Sequence, residues 1–192
     1  SRYLENHEFK KESKFLFDKI LHNEHEINFD LISRKKSKII ITIREPEETI
    51  LSIVSYYAQH NNTHNYSKIV HAAEYYKERI EWLENASTAL ASKYIYFDAN
   101  VIKEKENDLL TFLGNNLNLK EPLTTKYKLQ PMTGENSTGD RSENIKKGQL
   151  IFDKQCTKKS LNIDQELSDE INIIYTRVRN NLILNSIKSL SL

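Results

Sequence analysis

Residues 38–46 read Lys38-Ile39-Ile40-Ile41-Thr42-Ile43-Arg44-Glu45-Pro46, a hydrophobic run that ends in a charged turn. A continuous β-branched run of this kind is typical of a strand buried on both faces of a parallel sheet. Proline fits the first turn of a helix, and the acidic residues Glu47 and Glu48 complement the positive end of that helix. The run therefore predicts a strand, a tight turn and a helix, in that order.

The rest of the chain repeats this alternation of strands and helices. We predict, in chain order, a helix over about Tyr66–Asn85, a strand over Lys93–Phe97 closed by Asp98, a short helix over Asp108–Leu117, a long loop over Lys120–Lys147 and a closing helix marked by Leu167 to Leu182. Such alternation implies an α/β fold, with a parallel sheet flanked by helices. The length fits a single domain over residues 1–192.

Composition narrows the class of protein. The 28 basic residues nearly balance the 27 acidic ones, which disfavours a dedicated nucleic-acid binder. Cys156 is the only cysteine, so the chain has no internal disulfide, and we expect a reducing, cytoplasmic location. No apolar run approaches the ~18 residues of a membrane span, and no leader pattern opens the chain. A local anion site remains compatible with these numbers, since it needs only a few placed cations.

The segment from Ile39 to Ser52 resembles the 3′-phosphate-binding segment of sulfotransferases. That pattern is a hydrophobic strand, then Arg, any residue and Pro, with a Ser eight residues after the Arg; Arg44, Pro46 and Ser52 meet it. A strand end that meets a helix amino terminus favours anions, and a guanidinium can bind phosphate through two hydrogen bonds. The alternative is that Arg44 makes a surface ion pair and Ser52 faces solvent.

Later segments extend the resemblance along the chain. Tyr75–Leu83 is similar to a helix of the family in which Tyr and Trp recur. Tyr94–Asp98, followed by Leu109–Gly114, is similar to the family's next strand and its "fLG" helix. Ser142–Gly148 is similar to the family's Arg-Lys-Gly loop. The resemblance implies that Lys146, Lys147 and Gly148 return to the same 3′-phosphate, with Lys146 replacing the usual Arg. Phe97 or Tyr96 would stack on adenine, unless these aromatic side chains simply pack in the core.

The resemblance implies a P-loop-NTPase-like, three-layer fold and transfer of a sulfuryl group from 3′-phosphoadenosine-5′-phosphosulfate. The product would be adenosine-3′,5′-bisphosphate, and the acceptor a hydroxyl or amine on a saccharide, lipid or small molecule. The family's amino-terminal phosphosulfate loop is missing, since the first glycine is Gly114. We therefore expect the domain to be incomplete at its amino terminus. The alternatives are a non-catalytic nucleotide-binding or scaffold relative and a P-loop-type nucleotide kinase, which the missing Walker loop disfavours.

The base that deprotonates the acceptor is expected in a cluster ahead of the first strand. The resemblance favours His22, which precedes Arg44 by 22 residues, or Glu24, because some carbohydrate-sulfating relatives use Glu; His25 is a third candidate. The same cluster also fits a hydrophilic loop with no catalytic role. A metal site built from these side chains is disfavoured by their spacing, so we expect none.

Overall fold

The computed structural model describes residues 17, 19, 37–129, 143–151 and 163–192. In this part of the chain three parallel strands form one sheet, in the order β1 (Ile39–Ile43), β2 (Tyr94–Asp98) and β3 (Lys188–Leu190). Its α-helices are α1 (Pro46–His60), α2 (Ile69–Ala89), α3 (Val101–Glu104), α4 (Glu106–Leu117) and α5 (Gln165–Asn185). Short 3₁₀ helices cover Asn65–Ser67 and Glu143–Lys147.

The predicted α/β class with a parallel sheet is confirmed. Ile39 of β1 lies opposite Tyr94 of β2, and Ile43 lies opposite Asp98. Two parallel neighbours need a long crossover between them, and α1 and α2 provide it. The strand and the turn into a helix predicted from residues 38–46 are both present, with Pro46 as the first residue of α1.

The hydrophobic core lies on one face of the sheet. Alternate residues of β1 and β2 share this face, because side chains along a strand point to opposite sides. The core residues are Ile41, Ile43, Tyr94 and Tyr96 from the sheet, Ile50 from α1, Ala72, Ala73, Tyr76 and Ile80 from α2, Leu90, and Ile171, Val178 and Leu182 from α5. The three longer helices α1, α2 and α5 therefore cover the same side of the strands. No described helix has both the length and the apolar character that a bilayer crossing needs.

The boundaries of α2 differ from the prediction of a helix over Tyr66–Asn85. Residues Asn65–Ser67 form a separate 3₁₀ turn, because the His64 Nδ1 accepts the Tyr66 backbone N–H at 3.2 Å and caps this turn. Lys68 then has an extended backbone conformation, so the α-helix begins only at Ile69 and runs on to Ala89. The helix was predicted, but its ends were wrong.

Two features of the fold were not predicted. Strand β3 has only the sequence Lys188-Ser189-Leu190, which lacks a hydrophobic run, and it pairs in parallel with β2 as an edge strand. The loop predicted over Lys120–Lys147 contains local structure at its carboxyl end, the 3₁₀ helix Glu143–Lys147; residues 130–142 of it lie outside the described residues.

Candidate functional site

The turn after β1 is held by hydrogen bonds to its backbone carbonyls. The Tyr76 hydroxyl of α2 donates to the carbonyl oxygen of Arg44 at 2.8 Å. The carbonyl oxygen of Glu45 accepts from the Thr49 backbone N–H at 3.1 Å and from the Thr49 hydroxyl at 2.8 Å. Buried carbonyls left without donors would be costly. This bonding fixes the places from which the Arg44 and Glu45 side chains leave the carboxyl edge of the sheet.

The Arg44 side chain runs along α1 toward a carboxylate that it shares with a lysine. Arg44 Nε donates to Glu48 Oε2 at 2.9 Å, and the Lys103 ammonium donates to the same oxygen at 2.7 Å. Burial alone would raise the pKa of Glu48, but the hydrogen bonds from Lys103 and Arg44 hold it below its ordinary value. Arg44 thus makes the surface ion pair of the alternative interpretation, within a group of three charges that keeps a net positive charge.

Ser52 lies on the same face of α1 as this group. Residues four apart on a helix are neighbours on its surface, so Glu48 and Ser52 follow one another along α1, and Arg44, which precedes the helix, reaches this face through its ion pair with Glu48. The Ser52 side chain is exposed to solvent, and the Arg44 side chain is 41% exposed. The structure therefore leaves both predicted phosphate ligands accessible, with Arg44 just before α1 and Ser52 on the helix face that bears its partner Glu48.

Lys103 was missed by the sequence analysis, although a signal for it existed. It lies in α3, which follows β2 directly. Because β1 and β2 are parallel, the residues that follow each strand emerge at the same edge of the sheet. A basic residue a few positions after β2 can therefore lie next to a charged residue that follows β1. This signal comes from the order of the strands and not from helical spacing.

The predicted lysine–glycine loop forms a compact unit of its own. The Gly148 carbonyl accepts the Tyr127 backbone N–H at 2.8 Å, and the Lys147 ammonium donates to Asn144 Oδ1 at 2.8 Å. Gly148 has φ +66°, and a Cβ there would lie 3.3 Å from the Tyr127 carbonyl oxygen. A larger residue at position 148 would be strained for both reasons. Lys146 and Lys147 have exposed side chains.

The aromatic residues at the end of β2 point to opposite faces of the sheet. Tyr96 is fully buried in the core, which confirms core packing as its role, and its hydroxyl donates to Asp98 Oδ1 at 2.7 Å. Phe97 is half-buried and lies opposite Thr42 of β1 in the sheet register. Strand alternation puts Phe97 on the face away from the core helices.

Asp98 closes β2 with a carboxylate whose hydrogen-bonding capacity is fully used. Arg179 of α5 binds both oxygens, with Nε 2.9 Å from Oδ1 and a terminal nitrogen 2.6 Å from Oδ2. The Tyr96 hydroxyl and the Leu192 backbone N–H also donate to it, the latter at 3.1 Å. Burial alone would raise the pKa of Asp98, but the bonds from Arg179, Tyr96 and Leu192 hold it below its usual range. This pair joins β2 to α5 and to the chain end.

Beside this pair the carboxyl edge of the sheet opens into a cleft against α5, here named the β1–α5 cleft. It consists of two adjoining pockets of about 290 and 440 Å³ that share three lining residues, Glu45, Tyr175 and Thr176. Asp98, Asn100 and Arg179 also line the smaller pocket, and Glu47, Ser168 and Asn172 also line the larger. Ligands of α/β proteins bind at this edge of the sheet, and the volumes suit a small molecule.

The cleft was also missed by the sequence analysis, and its position explains why. Tyr175 and Thr176 of α5 reach Glu45 only because α5 packs across the sheet, far away along the chain. Tyr175 lies within the predicted closing helix, and it is half-buried. Sequence periodicity gives no sign that this residue lines a cavity.

The predicted base candidates His22, Glu24 and His25 lie outside the described residues. Within those residues, no group of three or more His, Cys, Asp and Glu side chains is arranged to hold a metal ion. The described candidates for phosphate binding are thus Arg44 and Ser52, joined by Lys103, with the lysine–glycine loop as a separate unit.

Comparisons with protein-family models, with curated proteins and with solved structures found no match. Function is therefore inferred from the sequence pattern and from the geometry at the carboxyl edge of the sheet.

Proposed function

We propose that this chain is a sulfotransferase domain of the three-layer, P-loop-NTPase-like type, and that Arg44 and Ser52 bind the 3′-phosphate of 3′-phosphoadenosine-5′-phosphosulfate. One observation carries the proposal: Arg44 follows a parallel strand directly, ahead of α1, and Ser52 lies exposed on the face of α1 that also bears Glu48, the ion-pair partner of Arg44. The position of Arg44 after a hydrophobic strand, and the spacing of eight residues from Arg44 to Ser52, resemble the 3′-phosphate-binding segment of sulfotransferases.

The charges at this edge fit a phosphate. Arg44 and Lys103 both donate to one oxygen of Glu48, so two cations share a single negative charge. A phosphate dianion offers more acceptor oxygens and more charge than one carboxylate, and both cations can turn to it without leaving the surface. The backbone N–H groups of Glu47 and Glu48 in the first turn of α1 have no partner within the described part of the chain and favour an anion at the same place.

In sulfuryl transfer the protein would mainly position the donor and the acceptor and stabilise the charge that develops on the leaving phosphate. The acceptor oxygen or nitrogen would bond to the sulfur of the donor as the bond between sulfur and the leaving phosphate breaks, and that phosphate would gain negative charge. Arg44, Ser52 and Lys103 would hold the nucleotide end, with Phe97 beside adenine and Lys146, Lys147 and Gly148 closing on the same phosphate. His22, Glu24 or His25 would accept the proton of the acceptor, as a general base must do near neutral pH.

Calorimetric titration with adenosine-3′,5′-bisphosphate tests this proposal. We expect Arg44→Ala to weaken binding by about 2 kcal/mol, roughly thirtyfold in Kd, because a charge-assisted contact is lost. Arg177→Ala is the matched control, since Arg177 is also a half-exposed arginine held by glutamates, but its partners Glu81 and Glu84 lie on α2 and it lines neither pocket of the cleft. That variant should bind within about twofold of the wild type, on the usual scale for distant surface changes.

The outcomes separate the proposal from its alternatives. Adenosine 5′-monophosphate lacks the 3′-phosphate, so Arg44→Ala should leave its weaker binding unchanged. An unchanged affinity of Arg44→Ala for the bisphosphate would remove Arg44 from the site. Absence of heat with the wild-type protein would favour a scaffold role, and a preference for ATP would favour a nucleotide kinase.

A further inference from the structure

The β1–α5 cleft contains a carboxylate that no other described group neutralises. Glu45 follows Arg44 directly, but its side chain makes no ion pair or hydrogen bond within the described part of the chain, and it lines both pockets. Arg44 turns to Glu48 on α1, whereas Glu45 borders Tyr175 and Thr176 on α5. Two neighbouring residues thus present opposite charges to two different sides of the same turn.

The lining of the cleft is acidic overall. Among the described residues that line it, the one cation is Arg179, which is bound to both oxygens of Asp98, while Glu45 and Glu47 add further negative charge. The pKa of the Tyr175 hydroxyl is raised to about 12, mainly by burial and further by the negative charges of Asp98 and Glu45, which Arg179 opposes. The carboxylates that line the two pockets, and not the burial, are what favour a cation over an anion here.

The cleft also has polar groups whose hydrogen-bonding capacity is unused. Asn100 is only 9% exposed, it lines the smaller pocket, and its Oδ1 has no partner among the described residues. This oxygen is enclosed by protein atoms, and a buried acceptor without a donor is unfavourable, so a ligand donor would stabilise it once the amide turns toward the pocket. The χ2 torsion of asparagine is broad, which lets the amide turn toward the pocket. The Tyr175 hydroxyl can both donate and accept.

We propose that the β1–α5 cleft binds the acceptor, and that this acceptor is a small hydroxyl-bearing amine, such as an amino sugar, whose ammonium group is held by Glu45. The hydroxyl groups of the ligand meet Tyr175 and Asn100. That the bound amine is the sulfuryl acceptor rests on the proposed sulfuryl transfer, whereas the binding of an amine in the cleft does not. The two neighbouring residues of the turn then bind different ligands: Arg44 binds the nucleotide, and Glu45 binds the amine.

Three sugars of nearly equal size test the charge preference of the cleft: glucosamine, glucose and glucuronate. We expect glucosamine to shift the backbone amide resonances of residues around Glu45, Tyr175 and Thr176 in an NMR titration. Glucose should bind more weakly and glucuronate should not bind. Glu45→Gln keeps the size of the side chain and the backbone bonds of the turn, and should weaken glucosamine binding by roughly tenfold, the scale of one charge-assisted hydrogen bond.

Matched variants show whether a loss of glucosamine binding comes from the cleft or from a general change in charge or folding. Glu104→Gln removes the same charge from an exposed site on α3 outside the cleft, and should bind glucosamine as the wild type does. Tyr175→Phe keeps the packed ring while removing the hydroxyl, and should weaken glucosamine binding several-fold. Thermal unfolding of each variant shows whether it is folded.

The failures of the two proposals are distinguishable. Binding of the bisphosphate without selective binding of glucosamine, or equal affinity of Glu45→Gln and the wild type, overturns the amine site and leaves the sulfotransferase proposal standing. Binding of glucosamine without the bisphosphate overturns sulfuryl transfer and leaves the amine site standing.

Discussion

Glu48 is the residue on which the charges of the proposed nucleotide site converge. Its Oε2 accepts from both Arg44 and Lys103, and its side chain is 34% exposed. Exposed ion pairs contribute little to stability because water and salt screen them. The group of three charges is therefore better understood through its effect on an incoming anion than through its effect on folding.

At this scale we expect Glu48→Gln to strengthen binding of adenosine-3′,5′-bisphosphate by about threefold to tenfold. The change removes a negative charge that competes with phosphate for both cations, an effect of about 1 kcal/mol at a solvated surface. Calorimetric titration at low and moderate salt measures it.

Glu47→Gln is the control for this variant, because it removes the same charge one residue away from a side chain that makes no ion pair in the described part of the chain. Its effect should be smaller. Weaker binding in Glu48→Gln than in the wild type would mean that Glu48 holds Arg44 in place for phosphate instead of competing with it.

Helix α5 is the element that completes both the core and the cleft. Its buried residues Ile171, Val178 and Leu182 pack on the sheet, and the buried Tyr94 hydroxyl of β2 donates to the Leu182 carbonyl at 2.7 Å. On its flank, Lys77 of α2 pairs with Glu170 at 2.9 Å. The apolar contacts carry most of the stability of this packing, since the Glu170 end of the ion pair is exposed to solvent.

We expect Leu182→Ala to lower the free energy of unfolding by about 2–5 kcal/mol, because the deleted atoms leave a cavity in a fully buried site. Urea unfolding measures the change. Leu184→Ala, two residues along the same helix, is the control, since that side chain is 80% exposed and should cost no more than about 0.5 kcal/mol. Similar losses in the two variants would contradict the docking of α5 described above.

Across the whole molecule, Asp98 joins parts that are far apart along the chain. It belongs to β2, and it accepts hydrogen bonds from Arg179 of α5 and from the backbone N–H of Leu192, which follows β3. Its pKa is held below the usual range despite its burial. A carboxyl group with a lowered pKa in the folded state stabilises that state above its unfolded pKa of about 3.9, and this contribution is lost as the pH falls through the folded value.

We therefore expect the free energy of unfolding to fall as the pH is lowered from about 4 to 2, and this fall to be shallower in Asp98→Asn. The variant will be less stable at pH 7, because Arg179 loses its charged partner. Asp108→Asn, at an exposed position in the first turn of α4, should keep the wild-type dependence on pH. Equal pH dependence of Asp98→Asn and the wild type would show that another carboxyl group dominates acid unfolding.

The sequence by itself determined the elements whose signal is local. The β-branched run before Arg44 specifies β1, Pro46 marks the first turn of α1, and apolar spacing marks α2 and α5, because propensity and periodicity act over a few residues. Ser52 could be placed next to Glu48 on the surface of α1 for the same reason: within a helix, spacing alone fixes which residues are neighbours.

Only the tertiary structure decided which distant groups meet at the edge of the sheet. Parallel pairing of β1 with β2 brings Lys103 to Glu48, and the packing of α5 brings Tyr175 and Arg179 to the ends of those strands. Strand β3 has no apolar run and forms because β2 offers it a ladder of hydrogen bonds. These contacts join residues far apart in the chain, so they depend on the packing of whole elements, which no local pattern encodes.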